Sequence, residues 1–532
     1  MTALWWQSGV IYQIYPRSFQ DSNGDGIGDL KGIAQRLEDL VDLGIDAIWI
    51  SPIYPSPMAD FGYDVADYCN IDARFGTLAD LDNLLLRAHA RGLKVLLDFV
   101  PNHTSDQHPW FVESRSSRQS PKRDWYIWRD GAPGGGPPNN WISDFGGSAW
   151  QRDEPTGQYY YHAFLTQQAD LNWRHAGVQA AMFDVMRFWF DRGVDGFRID
   201  VLWHMVKAID FPDNPPNPAY RPSMGEMHRV HQTHSTDQPE VHAVAADMRA
   251  IADSLGADGR DRVLLGEIYL PVDRLMTYYG ESRAEVHMPL NFQLIDASWD
   301  ADALATLIAE YEAALPPGAW PNWVLGNHDR PRVATRLGPA QARVATMLLL
   351  TLRGTPTLYY GDELGLRDVA IPAAEVQDPR ELREPGLGLG RDPVRTPMPW
   401  TSRDHAGFSD VQPWLRLNAD WPTRNVERMS SDPRSILTLT RRLLATRRAH
   451  PAVSVGDIAQ VNANGNVLSY QRRHGADRLI VALNLGSTPQ RWPLRVRSGD
   501  CRVVMSTIDD AVVIEDDIVA LRADEGVILA IT

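Results

Sequence analysis

Short, nearly uninterrupted apolar runs recur along this chain and alternate with amphipathic stretches of helical length. Such runs are typical of parallel strands buried on both faces, whereas a strand with one solvated face alternates apolar and polar residues. Eight strands separated by helices favour a closed barrel over an open sheet, so the sequence predicts an α/β protein built on a (β/α)8 (TIM) barrel. The predicted strands lie near residues 10–15, 47–50, 94–100, 196–201, 263–268, 287–292, 323–327 and 357–360.

Two irregular segments interrupt this alternation, and the end of the chain departs from it. Residues 104–172 follow the third strand and are rich in Gly, Pro, Trp and Ser, so we expect an inserted domain above the C-terminal face of the barrel. A second irregular insertion, residues 366–416, follows strand eight. Short strands joined by turns predict a C-terminal all-β domain, a β-sandwich, over residues 451–532. The barrel is then assigned to residues 1–103 and 173–450.

The charge and the cysteines limit the partners that we expect. The 532 residues carry a formal net charge of -16, which argues against nucleic acid and anionic membranes and suits a small neutral substrate. The two cysteines, Cys69 and Cys501, are too few for a disulfide framework. The sequence has neither a signal-peptide pattern nor an apolar run long enough to span a bilayer. We therefore expect a cytoplasmic monomer or homodimer with no membrane partner.

Polar residues stand at the C-terminal ends of several predicted strands, where a buried strand would otherwise be apolar. A barrel gathers these strand ends at one mouth, which is where barrel enzymes carry their active sites. Conflicts with local expectation concentrate at functional sites, so these residues predict such a site. They are Asp98 and His103 at strand three, Arg198 and Asp200 at strand four, Glu267 at strand five, and His328 and Asp329 at strand seven.

This set of residues suits the cleavage of a glycosidic bond, in which one carboxylate attacks and a second, protonated carboxyl donates to the leaving oxygen. Arg198 lies two residues before Asp200 on the same face of the strand, and its charge should lower the pKa of that carboxyl, as a nucleophile requires. Glu267 lies among apolar residues, which should raise its pKa, as an acid/base catalyst requires. His328 and Asp329 are expected to bind two adjacent sugar hydroxyls.

Four segments resemble the signature regions of the α-amylase superfamily, glycoside hydrolase family 13, in order and at suitable spacing. They are residues 98–103 (DFVPNH), 196–200 (GFRID), 266–267 (GE) and 327–329 (NHD). The resemblance covers essentially the whole chain and implies that Asp200 is the nucleophile, Glu267 the acid/base and Asp329 a stabiliser of the transition state. It also implies that the sugar site is lined by Arg198, His103 and His328.

Within that superfamily the chain is similar to oligo-1,6-glucosidases and related α-glucosidases. Residues 168–173 (QADLNW) resemble their QPDLNW region, and residues 391–400 (RDPVRTPMPW) resemble their RDxxRTPMQW stretch, with one substitution in each. The resemblance implies that Asp60 pairs with Arg395 and closes the pocket behind the terminal glucose, which would give exo action; whether Arg391 instead contacts the sugar is left open. Val201 resembles the residue of α-1,6-cleaving members, but one position assigns no linkage. The resemblance also implies further residues that line the sugar site, namely Tyr63, Phe145, Phe164, Gln168 and Val201.

Residues 21–29 (DSNGDGIGD) carry oxygen-bearing side chains at alternate positions and a glycine at the sixth. This is the pattern of the first part of an EF-hand-like loop, without its distal bidentate glutamate. Hard oxygen ligands favour Ca2+ or Mg2+, and the position next to strand one indicates a structural role; the alternative is an Asp/Gly turn without an ion. No organic cofactor is expected. The candidate ligands are Asp21, Asn23, Asp25, Ile27 and Asp29.

Together these observations predict an exo-acting, retaining α-glucosidase that releases terminal α-glucose from short α-glucosides of the maltose, isomaltose or sucrose type, with some transglucosylation. A sucrose or trehalose isomerase, or a transglucosylase, is the first alternative, because it would keep the same carboxylates and differ only in how water competes for the glucosyl-enzyme. A trehalose-6-phosphate hydrolase would need a basic cluster at the pocket. A non-catalytic relative, such as a transporter subunit, would carry a membrane span and lack part of the catalytic set.

Overall fold

A barrel of eight parallel strands forms the centre of the protein, as the computed structural model shows. The structure describes residues 3–255 and 261–531, so a few residues of the predicted barrel and C-terminal ranges (1, 2, 256–260 and 532) lie outside it. Hydrogen-bonded neighbours follow the order β6-β5-β4-β3-β2-β1-β8-β7, and β6 and β7 lie side by side where the barrel closes. The strands are β1 (Ile11–Ile14), β2 (Ala47–Ile50), β3 (Lys94–Phe99), β4 (Gly196–Ile199), β5 (Val263–Glu267), β6 (Met288–Leu290), β7 (Asn322–Val324) and β8 (Thr355–Tyr359).

Helices surround the barrel, and local signals account for where they begin and end. Thr77 caps the helix Leu78–His89 in a capping box with Asp80, and Gly193, in the left-handed region at φ 108°, ends the helix Ala176–Arg192. None of the helices among the described residues combines the length and apolar character needed to traverse a bilayer. The other α-helices are Trp5–Ser8, Leu30–Gln35, Leu37–Leu43, Pro109–Arg115, Val241–Leu255, Val272–Thr277, Gln293–Asp296, Ala301–Ala314, Val333–Arg336, Gly338–Thr351, Pro379–Arg383, Val426–Ser430, Ile436–Ala449 and Pro451–Ser454.

The segment after β3 forms a small inserted domain above the barrel mouth. Its two ends are joined, because the strand His103–Ser105 pairs antiparallel with Gln168–Asp170. Between them lies a three-stranded antiparallel sheet of Trp128–Arg129, Tyr159–Tyr161 and Trp150–Arg152. Edge-to-face aromatic pairs pack against this sheet, with Phe111 and Trp128 against Tyr160 and Trp141 against Tyr161. The insertion is therefore a packed unit that holds its loops over the C-terminal ends of the strands.

The C-terminal region consists of two antiparallel sheets that share an apolar core. This agrees with the predicted all-β domain, although the sequence analysis identified none of the three strands of the smaller sheet. Those strands are only three or four residues long, and two of them carry a charged residue, Arg491 or Glu515, on the exposed side. The larger sheet contains β9 (Asp457–Asn464), β10 (Val467–His474), β11 (Asp477–Asn484), β13 (Cys501–Ser506) and β16 (Gly526–Ile531), and the smaller contains β12 (Gln490–Pro493), β14 (Val513–Glu515) and β15 (Ile518–Leu521).

Candidate active site

A cavity of about 820 Å³ opens at the C-terminal ends of the barrel strands, beneath the inserted domain. Its volume is ample for a disaccharide and falls in the range of small-molecule sites. The structure brings most of the sequence-predicted site residues to this one cavity, although they come from distant parts of the chain. Those that line it are Asp60, Tyr63, His103, Phe145, Phe164, Gln168, Asp200, Val201, Glu267, His328 and Asp329.

Arg198 lies beneath Asp200 and Glu267 and is almost fully buried. Its Nη1 donates to Asp98 at 2.7 Å and to Asp200 at 2.6 Å, and its Nη2 lies 2.7 Å from Glu267 Oε2. Asp200 and Glu267 therefore bond the same guanidinium and lie close together, as retaining glycosidases require. Arg198 was predicted to line the sugar site, but the structure places it behind the carboxylates rather than on the cavity wall.

Three carboxyls around one guanidinium cannot all stay ionised without strong repulsion. Burial raises the pKa of Asp98 to about 6, against the charge of Arg198. Burial also raises the pKa of Asp200 and of Glu267, and Arg198 lowers each of them. The expectation that Arg198 would keep the pKa of Asp200 low was thus incomplete, because burial outweighs it. A raised pKa favours the protonated form of a carboxyl, which is the form that a proton donor needs.

The turn after Asp200 has a strained backbone and directs a backbone N–H group towards Glu267. Val201 has φ 37°, in the left-handed region that a β-branched residue seldom adopts. Its backbone N–H donates to Glu267 Oε2 at 2.8 Å. The strained turn therefore holds the Glu267 carboxyl beside Asp200.

His328 and Asp329 follow β7 and are held rigidly by their neighbours. Gln13 donates to His328 Nδ1 at 2.7 Å, and the other ring nitrogen lies 2.7 Å from the Tyr63 hydroxyl, which donates to Asp98. The Tyr63 and His328 rings stack at 5.5 Å. Burial lowers the pKa of His328, so the ring is neutral, and Nδ1 accepts from Gln13 while the other nitrogen donates to the Tyr63 hydroxyl. Burial would raise the pKa of Asp329, but three arginines, Arg395, Arg391 and Arg198, hold it well below its usual range.

The closed end of the cavity is formed by Asp60 and Arg391, which corrects the predicted Asp60–Arg395 pair. Arg391 Nη2 donates to Asp60 at 2.6 Å and to Asp378 at 2.6 Å. Arg395 lies behind the cavity wall, where it donates to Asp329 at 2.8 Å and to the His328 carbonyl at 2.8 Å. Of these two arginines, Arg391 is the one that lines the cavity, and its guanidinium lies 5.1 Å from the centre of the Phe145 ring.

The remaining predicted residues line the side of the cavity next to this closed end. Gln168 Nε2 lies 3.3 Å from Asp60 and 3.1 Å from His103 Nε2. The Phe164 ring packs 5.2 Å from His103 and 6.0 Å from Phe145. Asp378, which orients Arg391, was not identified from the sequence, because it lies in an irregular segment without periodicity. Only its pairing in space with Arg391 reveals it.

The predicted ion-binding loop follows β1 and is closed by hydrogen bonds to its own backbone. Asp21 accepts from the N–H groups of three loop residues and from the Ser409 hydroxyl at 2.6 Å, which ties the loop to the second irregular segment. Gly26 is needed there, because its φ is 86° and a Cβ would lie 2.6 Å from the Gln412 carbonyl. Asp29 caps the helix Leu30–Gln35. Within residues 3–255 and 261–531, no three His, Cys, Asp or Glu side chains are clustered closely enough to hold an ion by themselves.

Paired carboxyls on a shared arginine, at the mouth of a (β/α)8 barrel, define the class of this site: that of a retaining glycosidase. The family described as "Alpha amylase, catalytic domain" matches residues 13–456. This chain therefore belongs to the α-amylase family, glycoside hydrolase family 13.

Individual relatives agree with this assignment over nearly the whole chain. The chain is 42% identical to a probable alpha-glucosidase of Rhizobium meliloti (strain 1021), over 90% of this chain and 89% of the relative. It is 36% identical to an oligo-1,6-glucosidase of Parageobacillus thermoglucosidasius, over 91% of each chain. Among solved structures it resembles the alpha-glucosyl transfer enzyme XgtA, with a TM-score of 0.94, 39% identity and 100% of both chains covered.

Proposed function

We propose that this protein is an exo-acting, retaining α-glucosidase for short α-glucosides. The single observation that carries the proposal is the pair of buried carboxyls, Asp200 and Glu267, on one guanidinium at the mouth of a barrel. The relatives named alpha-glucosidase and oligo-1,6-glucosidase support the same activity.

The geometry supports a double displacement. Asp200 attacks the anomeric carbon while Glu267 donates its proton to the leaving oxygen, and a glucosyl ester of Asp200 forms. Glu267, now ionised, takes a proton from water, which attacks the same carbon and releases glucose of retained α configuration. Asp329, whose pKa is held low, stays ionised and stabilises the positive charge of the transition state. Alcohol groups that reach the ester before water give transfer products.

Exo action follows from the closed end of the cavity. Asp60 and Arg391 block the space beyond one end of the sugar site, and both are almost fully buried. A chain cannot extend past them, so a glucosyl unit enters only as the non-reducing terminus. We expect a maltooligosaccharide capped on its non-reducing end to resist cleavage while the uncapped one is cleaved. Cleavage of the capped substrate would contradict exo action.

Hydrolysis and transfer use the same site, and product analysis separates them. The similarity to XgtA favours transfer as a second activity. Maltose, isomaltose, sucrose and trehalose are incubated with the protein, and the products and their anomeric configuration are followed by NMR. We expect free α-glucose as the first product. Rearranged disaccharides without net glucose would make the protein an isomerase or transglucosylase. β-Glucose as the first product from sucrose, whose leaving group is fructose, would refute the retaining mechanism.

We also propose that the loop after β1 holds a structural Ca2+ or Mg2+ ion. Asp21, Asn23 and Asp25 offer hard oxygen donors at alternate positions, Asp29 a fourth, and Ile27 its backbone carbonyl. The ion would anchor the irregular segment through Ser409, away from the reacting atoms. A cytoplasmic location and a monomeric or homodimeric state complete the proposal, and the free thiols of both cysteines support the former.

A further inference from the structure

His204 is a buried histidine on the cavity wall whose two ring nitrogens have no hydrogen-bond partner among the described residues. Its side chain is 1% exposed. An unpaired buried polar group costs free energy, and a native structure retains one where a ligand or water satisfies it. Burial lowers the pKa of His204 well below its usual value, so the ring is neutral and carries one donor and one acceptor nitrogen.

The carboxyl of Asp144 faces this ring across a gap. Asp144 Oδ2 lies 3.7 Å from His204 Nε2, which is too long for a hydrogen bond. A single hydroxyl oxygen can lie about 2.8 Å from both atoms, accepting from the ring N–H and donating to the carboxylate. Gln232 donates to the other carboxyl oxygen, Oδ1, at 2.6 Å and so fixes the orientation of Asp144. The gap therefore has the dimensions and the chemistry of a hydroxyl-binding site.

Packing holds the imidazole of His204 in place. The ring lies 5.4 Å from Phe164 on one side and 5.1 Å from Trp203 on the other. Phe164 in turn contacts His103, and Trp203 contacts Tyr269, which follows the acid/base by two residues. This row of rings thus runs from His103, near the closed end of the cavity, to Tyr269, two residues after Glu267.

In the function proposed above, the terminal glucose occupies the other half of the site. Asp60, Arg391, His103, His328 and Asp329 surround that ring position. The cavity, at about 820 Å³, has room for a second ring beyond it. Since His204 lies midway along the row of rings, the second ring is the one whose hydroxyl reaches it.

We propose that His204 and Asp144 form a hydroxyl-binding pair that recognises the second sugar ring of the substrate, which is the leaving group in cleavage and the acceptor in transfer. The proposal rests on the α-glucosidase function proposed above and adds a specificity determinant to it. Removing the ring nitrogens should therefore weaken the selection of a sugar leaving group over one without hydroxyls.

The test compares a disaccharide with 4-nitrophenyl α-glucoside, whose leaving group carries no sugar hydroxyl. The variant His204→Phe keeps an aromatic ring between Phe164 and Trp203 but removes both nitrogens. We expect the ratio of kcat/KM for the disaccharide to kcat/KM for the aryl glucoside to fall about tenfold, which corresponds to about 1.4 kcal/mol. The disaccharide is maltose or isomaltose, whichever the unmodified protein cleaves faster.

Three further variants test the same proposal. Asp144→Asn should lower the same ratio, and the double variant should lose little more than either single one, because both residues bind one hydroxyl. His474→Phe, the same exchange at an exposed hairpin position, should leave the ratio unchanged. Thermal unfolding confirms that each variant is folded.

The possible outcomes separate the two proposals. An unchanged ratio in folded His204→Phe would overturn the inference and indicate that only water occupies the gap. An equal loss on both substrates would also overturn it, since that result indicates a structural role. No turnover of any α-glucoside by the unmodified protein would refute the proposed function itself.

Discussion

Replacing Arg391 with lysine tests the closed end of the cavity. The guanidinium bonds Asp60 and Asp378, each at 2.6 Å, and all three side chains are almost fully buried. Lysine keeps the charge but loses the planar fork, and its shorter side chain cannot serve both carboxylates in the same way. One charge-assisted hydrogen bond is worth about 1.5–3 kcal/mol, so we expect kcat/KM for the disaccharide to fall about 10- to 150-fold.

The assay adds a substrate change that identifies which sugar atoms are involved. The closed end meets the ring opposite the scissile bond, so Asp60 and Arg391 should bind the 4-hydroxyl. The unmodified protein should then discriminate strongly against a 4-deoxyglucoside, while Arg391→Lys should discriminate little.

Arg416→Lys is the matched control, because Arg416 pairs with Glu375 at the exposed surface. This variant should show no measurable change in kcat/KM for the glucoside or for the 4-deoxyglucoside. Equal discrimination by Arg391→Lys and the unmodified protein, with both folded, would refute the assignment of Arg391 to the sugar site.

Three other predictions concern catalysis, stability and the ion. Asp200→Asn should lower kcat on an aryl α-glucoside by about four orders of magnitude, and near-normal activity would contradict its role as nucleophile. A raised pKa keeps Glu267 protonated until the alkaline limb of the pH profile, so Glu267→Gln should remove that limb. A retained alkaline limb would contradict the acid/base role. Burial raises the pKa of Glu363 from 4.5 to about 7, so its proton stabilises the fold at low pH and is lost as pH rises through 7. Glu363→Gln should therefore increase the free energy of unfolding more at pH 8.5 than at pH 5, by up to about 3 kcal/mol, and Tm should rise accordingly. An equal change in Tm at the two pH values would contradict the argument. Removal of divalent ions by a chelator should lower Tm, Ca2+ or Mg2+ should restore it, and Asp21→Ala should abolish the response; an unchanged Tm would argue that the loop is a turn without an ion.

Residues at the ends of strands were predictable from the strand pattern, whereas those in irregular segments, such as Asp60 and Phe164, were predicted only through the family resemblance. Asp200, Glu267 and Asp329 follow apolar strands, and the barrel topology brings such ends together whatever the loops do. The prediction that Arg395 pairs with Asp60 was wrong, because both arginines lie in one irregular stretch and no local pattern separates them. Their separation by four residues places one in the cavity and the other behind Asp329.

The sequence by itself determined the barrel, its inserted and C-terminal domains, and the carboxylates of the catalytic pair, because strand periodicity and strand-end polarity are local properties of the chain. Tertiary structure alone decided which arginine closes the cavity, that Asp378 orients it, and that His204 and Asp144 face each other across a gap. It also decided the direction of the pKa shift at Asp200, where burial outweighs the neighbouring arginine. These features depend on distances and burial between segments far apart in the chain, which no local pattern of residues records.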